Sequence, residues 1–512
     1  MGAEAAVQLP AVVLVPFPAQ GHVTPMLHLA RALAAHGVAA TVAVPDFIHR
    51  RIAGTKTDAD VSDGVALASI PSGVTDVDGG DPPGFADFGH AMEHHMPGHL
   101  ERLLTRAHAA TGCRVACVVV DVLASWAVPV AERCGVPAAG FWPAMLASYR
   151  VVAAIPELME KGLISESGTP RSSPNQFDDD GFGQDQMIRA LKILPAQVEL
   201  KDEELPWLVG DSATQKSRFA FWLRALQRAR SFRSVLVNSF PGEAGAAAAT
   251  DDDNDNDGHP ARQSPRVLPV GPLLAGGGVS TVIEIMKGDV AVAPCKQPSM
   301  WQADSTCVGW LDRQRAGSVV YVSFGSWVGP IGQDKIRELA LGLEATGRPF
   351  LWALKKDPSW RAGLPDGYAE RVAVAGRGKV VDWAPQEDVL AHGSVGCYLT
   401  HCGWNSTVEA IRHGVRLLCC PVAGDQFINC AYIAGVWEIG IKLGCMSRDQ
   451  VRECIDRIMD GKEGRHLQEK MNVLRKKVVT AEYRSLAQRN VKSFVNEINK
   501  DYSLLTQMYS IL

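Results

Sequence analysis

The sequence predicts an α/β protein with parallel sheets, arranged in two lobes. Short apolar runs that suit buried strands alternate with amphipathic helical stretches in both halves of the chain. At 512 residues the chain exceeds one ordinary domain, and 46% apolar with 21% charged residues indicates a folded protein with ample core.

The first strand and helix are predicted at the N-terminus. Ala11 to Phe17 is an apolar run long enough for a buried strand, and Pro18 to Gly21 interrupts it. Thr24 then suits a helix cap and Pro25 the first helical position. His22 is therefore expected in the loop between a strand's carboxyl end and a helix, where open α/β sheets build their sites. Taken alone, a loop histidine is more often structural than catalytic.

A carboxylate at the end of another strand is the candidate partner for this histidine. Cys117 to Val120 is a strand-like run that Asp121 terminates, ahead of a helical stretch from Trp126 to Arg133. Asp121 also suits the cap of that next element, and the two roles do not exclude each other.

An anion-binding turn is predicted in the second half. Cys397 to Thr400 suits a buried strand, and the Gly-containing turn from His401 to Ser406 precedes a helical pattern. This order aims backbone N–H groups and the positive end of a helix dipole at a phosphate. Ser406 and Glu409 match the S-x-x-E capping box, and Gly414 suits the left-handed position that ends a helix.

Aromatic and polar side chains flank this turn. Trp383 offers a platform for a base, while Asp425 and Gln426 offer partners for sugar hydroxyls. Each residue alone is equally well explained as a core aromatic or a helix cap. The joint pattern predicts a site for a nucleotide-linked sugar.

The 44 residues from Trp383 to Gln426 resemble the signature box of plant secondary-product glycosyltransferases (family 1), which use UDP-sugars, and have its length. The segment from Pro16 to Pro25 is similar to the opening motif of the same family. The resemblance covers both ends of the chain. It implies the GT-B fold, with two Rossmann-like lobes whose parallel sheets face each other across a cleft.

The resemblance implies a role for each matched position. His22 would be the general base, and Asp121 would accept a hydrogen bond from it. The UDP-sugar would contact eleven further residues: Trp383 and Ala384 at uracil; Gln386 and Glu409 at the ribose; Ser326, His401, Asn405 and Ser406 at the diphosphate; and Trp404, Asp425 and Gln426 at the sugar. The closing glutamine together with Trp404 is typical of UDP-glucose enzymes.

Two departures from the family pattern concern the floor of the sugar pocket. Arg416 stands where a proline is common, and Ala423 and Gly424 replace a bulkier pair before Asp425. Donor binding is therefore better supported than the identity of the sugar.

The implied chemistry is an inverting transfer. His22 would deprotonate an acceptor hydroxyl as it attacks the anomeric carbon, and Asp121 would fix the imidazole tautomer. The helix N-terminus and His401 would stabilise the departing UDP, with no metal and no cofactor besides the UDP-sugar. The expected product is a β-hexoside, preferably a glucoside, on a hydroxyl or carboxyl group of a small lipophilic acceptor.

Two other functions compete with this enzyme hypothesis. One is a regulatory protein that binds the nucleotide sugar without turnover. The presence of both His22 and Asp121 disfavours this function. The other is a hydrolase that combines this pair with an unseen serine and does not need a UDP-sugar. The chain has no G-x-S-x-G elbow, P-loop or G-x-G-x-x-G, so hydrolase, ATPase and dehydrogenase functions are disfavoured.

Four segments make up the expected organisation: an acceptor lobe at 1–243, an acidic linker at 244–265, a UDP-sugar lobe at 266–480, and a helix at 481–512 that packs back on the first lobe. The acceptor pocket is expected to draw on three segments rich in Phe, Trp, Met and Leu: 88–97, 141–149 and 194–207. The stretch 166–186 is expected to be a flexible cover or disordered.

Acidic pairs offer a rival donor site. Asp251 to Asp257 and Asp178 to Asp180 contain Asp-x-Asp spellings of the kind that hold a metal and a nucleotide sugar in the other large glycosyltransferase architecture. No strand-like run precedes the first of them, so we interpret both as solvated segments.

Charge and cysteine content limit the partners. A net charge of −5 without a basic stripe disfavours nucleic-acid binding. The sequence has neither a long apolar span nor a signal sequence, so we expect a cytoplasmic monomer. The 12 cysteines suit reduced thiols, and Cys397, Cys402, Cys419 and Cys420 lack zinc-ribbon spacing, so no structural metal is predicted.

Overall fold

The computed structural model describes residues 10–53, 64–74, 85–111, 115–171, 193–243, 265–273, 300–326 and 328–509. The acidic pairs at 178–180 and 251–257 lie outside these residues, as do 172–186 of the expected cover and all but the last residue of the expected linker at 244–265.

The described residues form two compact units. The first draws on Met1–Leu146, Phe221–Met300 and Glu482–Leu512, and the second on Ala147–Ala220 and Trp301–Ala481. The segment 1–243 therefore contributes residues to both units. Each unit contains one parallel sheet, as the alternation of strand-like runs and helices predicts.

Seven strands form the sheet of the first unit, in the order β3-β2-β1-β4-β5-β6-β7. In chain order they are Ala11–Val15 (β1), Ala39–Pro45 (β2), Val65–Ile70 (β3), Val115–Asp121 (β4), Ala138–Trp142 (β5), Ser234–Val237 (β6) and Arg266–Pro269 (β7). Strand β4 is buried along its whole length, as expected for an aliphatic run covered on both faces. Strands β1 and β4 are neighbours, with Val15 opposite Val120. The strand order reverses between them, and at such a point the loops that leave the sheet diverge and open a crevice.

Six strands form the sheet of the second unit, in the order β10-β9-β8-β11-β12-β13. They are Val319–Ser323 (β8), Phe350–Ala353 (β9), Gly378–Val381 (β10), Val395–Thr400 (β11), Arg416–Cys419 (β12) and Gly440–Lys442 (β13). Here β8 and β11 are neighbours, and Ser323 is opposite Thr400. The chain order reverses between these two strands, so the second sheet also has a switch point.

Helices connect the strands of both sheets. In chain order they are Gln20–Ala34 (α1), Asp46–Ala53 (α2), Phe85–His90 (α3), Met96–Thr111 (α4), Ala127–Arg133 (α5), Leu146–Ala153 (α6), Ile155–Glu160 (α7), Ser212–Ala229 (α8), Cys307–Leu311 (α9), Gln333–Ala345 (α10), Pro358–Arg361 (α11), Tyr368–Val374 (α12), Gln386–Ala391 (α13), Trp404–His413 (α14), Gln426–Ala431 (α15), Arg448–Met459 (α16), Gly461–Val479 (α17) and Ala481–Tyr509 (α18). Single π-helical turns follow at Ala91–His95 and Tyr432–Val436, and 3₁₀ turns at Val122–Ala124 and Asp202–Glu204. Within the described part of the chain, no helix combines the length and apolar character needed to span a bilayer.

Candidate functional site

Helix α1 starts earlier than the sequence predicts. It begins at Gln20, with Ala19 as its N-cap, so Pro25 lies inside the helix and Thr24 is not the cap. The amides of His22 and Val23 both donate to the Ala19 carbonyl, at 2.9 Å each, and so form the first turn without a side-chain cap. The prediction of a loop position for His22 was therefore wrong, because this residue lies in the first helical turn.

His22 and Asp121 meet at the switch point of the first sheet. Nδ1 of His22 lies 2.8 Å from Oδ2 of Asp121. The aspartate side chain is fully buried at the end of β4, whereas the histidine side chain is 23% exposed. Phe17 packs against the imidazole, with ring centroids 5.1 Å apart. The histidine is thus held from two sides and still accessible to a substrate.

Asp121 combines the two roles that its sequence position suggests. Its Oδ1 accepts a hydrogen bond of 2.9 Å from the Leu123 amide and so caps the 3₁₀ turn, while Oδ2 faces His22. An ionised carboxylate only accepts hydrogen bonds, so His22 donates from Nδ1. The lone pair is then on Nε2, where a base that accepts a substrate proton needs it.

The anion-binding turn follows β11 in the second sheet. Helix α14 begins at Trp404 with Gly403 as the N-cap, and its first backbone bond joins the Thr407 amide to the Gly403 carbonyl at 2.9 Å. The predicted capping box of Ser406 and Glu409 is therefore wrong, because both residues lie inside the helix. Asn405 and Ser406 belong to its first turn, where N–H groups and the helix dipole favour an anion. Gly414 ends the helix with φ 74°, which confirms its predicted left-handed position.

His401 is a buried neutral side chain at the start of this turn. Desolvation, followed by the positive charge of Lys355, lowers the pKa of His401 to about 4. The imidazole is therefore uncharged at neutral pH, so any contact that it makes with an anion would be a hydrogen bond and not an ion pair. Within the described residues, its Nδ1 has no hydrogen-bond partner, although a hydrogen bond to the Ser323 backbone raises the pKa of the ring, so a ligand at Nδ1 would complete the hydrogen bonding of the imidazole.

Two glycines make room for the His401 ring. A Cβ atom placed on Gly325 would lie 2.7 Å from the ring, and one on Gly403 would also overlap it. Gly325 has φ 73° and turns the chain after β8, which brings the half-buried Ser326 into the loop beside His401. The loops after β8 and β11 therefore meet at the second switch point, and three of the four predicted diphosphate contacts flank His401 or continue its turn.

Gln386, the first residue of α13, organises the predicted ribose contacts. Its Nε2 lies 3.0 Å from Oγ of Ser406 and 2.6 Å from Oε2 of Glu409. Its Oε1 accepts hydrogen bonds from the buried hydroxyls of Tyr321 and Tyr398, at 3.2 and 3.0 Å. These contacts explain why Ser406 and Glu409 do not cap α14: their side chains face Gln386 instead.

The carboxyl group of Glu409 titrates far above its usual range. Desolvation, with a smaller contribution from the negative charge of Glu387, raises its pKa to about 8, against the hydrogen bond from Gln386 and the charge of Arg412. At neutral pH the group is therefore mostly protonated and able both to donate and to accept a hydrogen bond.

Trp383 has a neighbour that the sequence did not indicate. Trp383 follows β10 and stacks on Trp301, with ring centroids 5.5 Å apart and an interplanar angle of 29°. Its carbonyl accepts a hydrogen bond of 2.9 Å from the Asp304 amide. A base can therefore stack only on the other face of the Trp383 ring. Ala384, next in the chain, is buried.

The predicted sugar contacts cluster at the N-terminus of α15 and in α14. Trp404 is buried against Trp437, with ring centroids 6.4 Å apart. Oδ2 of Asp425 accepts a hydrogen bond of 3.0 Å from Asn429. Gln426 begins α15, and its Oε1 accepts the amides of Val422 and Ala423, at 2.9 and 3.0 Å. The carboxamide orientation of Gln426 is thereby fixed, with its NH₂ group available as the donor.

Arg416 does not take part in this cluster. It lies at the first position of β12, at the strand end opposite the site, and its guanidinium donates to the carbonyls of Ile458 and Gly464, at 2.7 and 3.2 Å. This departure from the family pattern is therefore a packing feature. The other departure, at Ala423 and Gly424, lies beside the residues predicted to contact the sugar.

Sequence reasoning missed the three aromatic residues that support the site. Trp301 and the stacked pair of Tyr321 and Tyr398, with ring centroids 4.8 Å apart, touch predicted donor residues. Tyr321 and Tyr398 are paired with each other in the register of β8 and β11, two residue pairs before Ser323 and Thr400, so sheet topology was needed to find them.

Comparisons with known proteins identify the family of the chain. Residues 302–476 match the family described as UDP-glucoronosyl and UDP-glucosyl transferase, and residues 9–73 match the glycosyltransferase N-terminal domain. UDP-glycosyltransferase 82A1 of Arabidopsis thaliana is 42% identical over 96% of this chain and 99% of its own length. DIMBOA UDP-glucosyltransferase BX8 of Zea mays is 34% identical over 91% of this chain and 93% of its own length.

Solved structures of the same kind are similar over nearly the whole chain. Os79 from O. sativa in complex with UDP is 26% identical, with a TM-score of 0.74 over 95% of this chain and 100% of its own. An anthocyanidin 3-O-glucosyltransferase in complex with UDP is 25% identical, with a TM-score of 0.72 over 96% of this chain and 99% of its own. The chain therefore belongs to the plant family 1 UDP-dependent glycosyltransferases, enzymes of the GT-B fold that transfer a sugar from a UDP-sugar.

Proposed function

We propose that this enzyme transfers a hexose, with glucose as the preferred sugar, from a UDP-sugar to a hydroxyl or carboxyl group of a small lipophilic acceptor, with inversion at the anomeric carbon. The observation that carries the proposal is the contact of 2.8 Å between Nδ1 of His22 and the buried carboxylate of Asp121. It orients the imidazole so that Nε2, the nitrogen proposed to act as the base, faces away from the aspartate.

The acceptor half of the reaction rests on this pair. An alcohol or phenol is a weak nucleophile at neutral pH, so His22 removes its proton during attack on the anomeric carbon. Asp121 stabilises the positive charge that forms on the imidazole. A direct displacement from an α-linked donor gives a β-glycoside, and no covalent sugar-enzyme intermediate is involved.

The donor half rests on the loops of the second unit. Uracil stacks on Trp383, next to the Ala384 backbone, and the ribose hydroxyls reach Gln386 and Glu409. The diphosphate accepts hydrogen bonds from His401 and from the other predicted contacts at that position, Ser326, Asn405 and Ser406. Because these groups and the helix dipole compensate the charge that develops on departing UDP, the proposed transfer needs no metal ion.

Sugar selection is assigned to three side chains. Asp425 accepts hydroxyl groups, the oriented NH₂ group of Gln426 donates, and Trp404 lines the pocket. Two of the related proteins are named glucosyltransferases, which supports glucose as the first donor to test.

The acceptor pocket is proposed to lie in three segments of the chain. Residues 88–97, 141–149 and 194–207 carry apolar side chains that suit a flat or terpenoid-like guest. Residues 88–97 are helical around the π-turn at Ala91–His95, a geometry frequent at functional sites. We propose that the enzyme is cytoplasmic and monomeric.

The alternative function, a binding protein without turnover, is separated from the enzyme by product formation. Purified protein is incubated with UDP-glucose, UDP-galactose or UDP-glucuronic acid and a panel of phenols, terpenoid alcohols and carboxylic acids. We expect a new hexoside with UDP-glucose above all. Proton NMR of that product should show the large anomeric coupling of a β-linkage. An α-linked product would contradict direct displacement, and UDP binding without any product would favour the binding protein.

The raised pKa of Glu409 predicts how UDP affinity depends on pH. A ribose hydroxyl that donates to Glu409 favours the ionised carboxylate, so its pKa in the complex is below about 8. The complex then binds fewer protons than the free protein, and affinity rises with pH up to about 8 and is level above. Calorimetric titration should show the Kd for UDP falling by up to about tenfold per pH unit in this window.

Two variants isolate the contribution of Glu409. Glu409→Gln lacks the titrating group, so the difference between its pH profile and that of the parent is due to Glu409, and ionisation of UDP cancels. Glu387→Gln removes the neighbouring negative charge, so the pKa of Glu409 should fall. The rise in UDP affinity should then occur at lower pH and reach the same final affinity. Identical profiles for the parent and Glu409→Gln would show that Glu409 is not linked to UDP binding.

A further inference from the structure

Three buried cysteines converge beneath the donor site. The sulfur atoms of Cys402, Cys419 and Cys430 all lie within 4.8 Å of one another. All three residues are 0% exposed, and we call them the cysteine cluster. The roles proposed above for the donor and acceptor residues make no use of these thiols.

The cluster joins three separate elements of the second unit. Cys402 belongs to the diphosphate turn, Cys419 ends β12, and Cys430 lies on α15. The register that pairs Thr400 with Cys419 brings the first two together. On α15, Asn429 donates to the Cys402 carbonyl at 2.9 Å, which fixes the helix against the turn.

The ligand set suits a soft metal cation. Sulfur atoms that share one ion at about 2.3 Å lie about 4 Å apart, which fits the separation within the cluster. Thiolates prefer soft d¹⁰ ions. Among the described residues, no fourth His, Cys, Asp or Glu side chain joins the three cysteines. An ion that accepts three sulfur ligands therefore fits better than one that requires four protein ligands.

The ammonium group of Lys442 acts on the cluster from nearby and would offset part of the negative charge of three thiolates. Lys442 is itself paired with Glu204, 2.8 Å away, so it stays in place beside the cluster. A cation would replace the thiol protons that now hold the three sulfurs together.

We propose that the cysteine cluster is a binding site for one soft d¹⁰ cation of the Cu(I) or Cd²⁺ type, held by three thiolates. Binding releases the remaining thiol protons and involves no change of oxidation state. The ion links the diphosphate turn, the end of β12 and α15, so it stabilises the unit that carries the donor residues. Its place is structural and distinct from the proposed sugar transfer, which needs no metal.

Cadmium titration under reducing conditions tests the proposal, because cadmium-thiolate bonds absorb in the ultraviolet. The protein used is the full chain with five other cysteines replaced by serine: Cys134, Cys420 and Cys445, which are not buried, and Cys113 and Cys295, which lie outside the described residues. We expect one equivalent of Cd²⁺ to bind, with a charge-transfer band and a rise in Tm. The same protein, purified from cells grown with added copper, should contain one equivalent of Cu(I).

Matched alanine variants identify the ligands. Cys419→Ala and Cys430→Ala should lose the band, the bound ion and the rise in Tm. Cys397→Ala removes an equally buried thiol from β11 outside the cluster and should retain all three. Circular dichroism and Tm without metal show whether each variant is folded.

Two results would overturn the proposal. One is the same stoichiometric binding in folded Cys430→Ala as in the parent. The other is a parent protein that holds no ion either after prolonged titration or after growth with copper. Both readouts are independent of turnover, so a failure here leaves the proposed transfer reaction untouched, and failure of that reaction leaves this site untouched.

Discussion

Replacing His22 with alanine is expected to lower kcat for an alcohol acceptor by about 10²–10⁴, the usual contribution of a positioned general base. The Kd for UDP should be unchanged, because the residues proposed to hold the donor belong to the other compact unit. Steady-state kinetics and calorimetric UDP titration on the same preparation measure the two quantities.

The acidity of the acceptor distinguishes a base from a structural residue. A carboxylic acid is already ionised at neutral pH, so its glycosylation does not need His22, and a phenol needs it less than an aliphatic alcohol does. The loss in His22→Ala should therefore shrink from alcohol to phenol to carboxylate. Asp121→Asn tests the partner, since it removes the charge that stabilises the imidazolium. An equal loss for all three acceptors would contradict the role of His22 as the base.

Replacing His401 with alanine should lower kcat by about 10²–10³, the usual effect of removing one hydrogen-bond donor from a developing anion. The reason is the buried, neutral imidazole, whose Nδ1 lacks a partner among the described residues. Because the pKa of His401 is about 4, the ratio of parent to variant kcat should be constant from weakly acid to weakly alkaline pH. A ratio that falls through neutral pH would mean that a charged imidazolium is the active form.

Glycine variants test the same residue by displacing it. Gly325→Ala places a methyl group 2.7 Å from the His401 ring at a left-handed backbone position, so it should reproduce much of the loss in kcat. Gly329→Ala is the matched control from the same loop, because nothing lies within 4 Å of its added carbon. Equal activity of the two variants would show that the position of the His401 ring is unimportant.

The strands were predictable where local composition determines them. Strands β4 and β11 are mainly apolar runs that fold into fully buried central strands. Helix starts were less predictable, because Ala19 and Gly403 cap α1 and α14 without a side-chain hydrogen bond. Sequence rules look for a polar cap and therefore placed both starts too late.

The site residues were likewise predictable in identity but not in their spatial arrangement. The resemblance supplied the roles of His22, Asp121 and the donor residues, but a sequence does not state distances. The contact of His22 with Asp121 spans 99 positions and depends on the neighbouring placement of β1 and β4. The cysteine cluster was missed for the same reason, since the spacing of its members matches no zinc motif and they meet only through the register of β11 with β12 and the packing of α15 against the turn.

The backbone at Cys402 has an implication of its own. Its φ of 66° is one that glycine adopts freely and that a residue with a side chain adopts at a cost of about 1–2 kcal/mol. Cysteine at this position therefore carries a conformational penalty that glycine would avoid. Favourable contacts of the Cys402 sulfur, such as those that a bound cation would add, would offset this penalty.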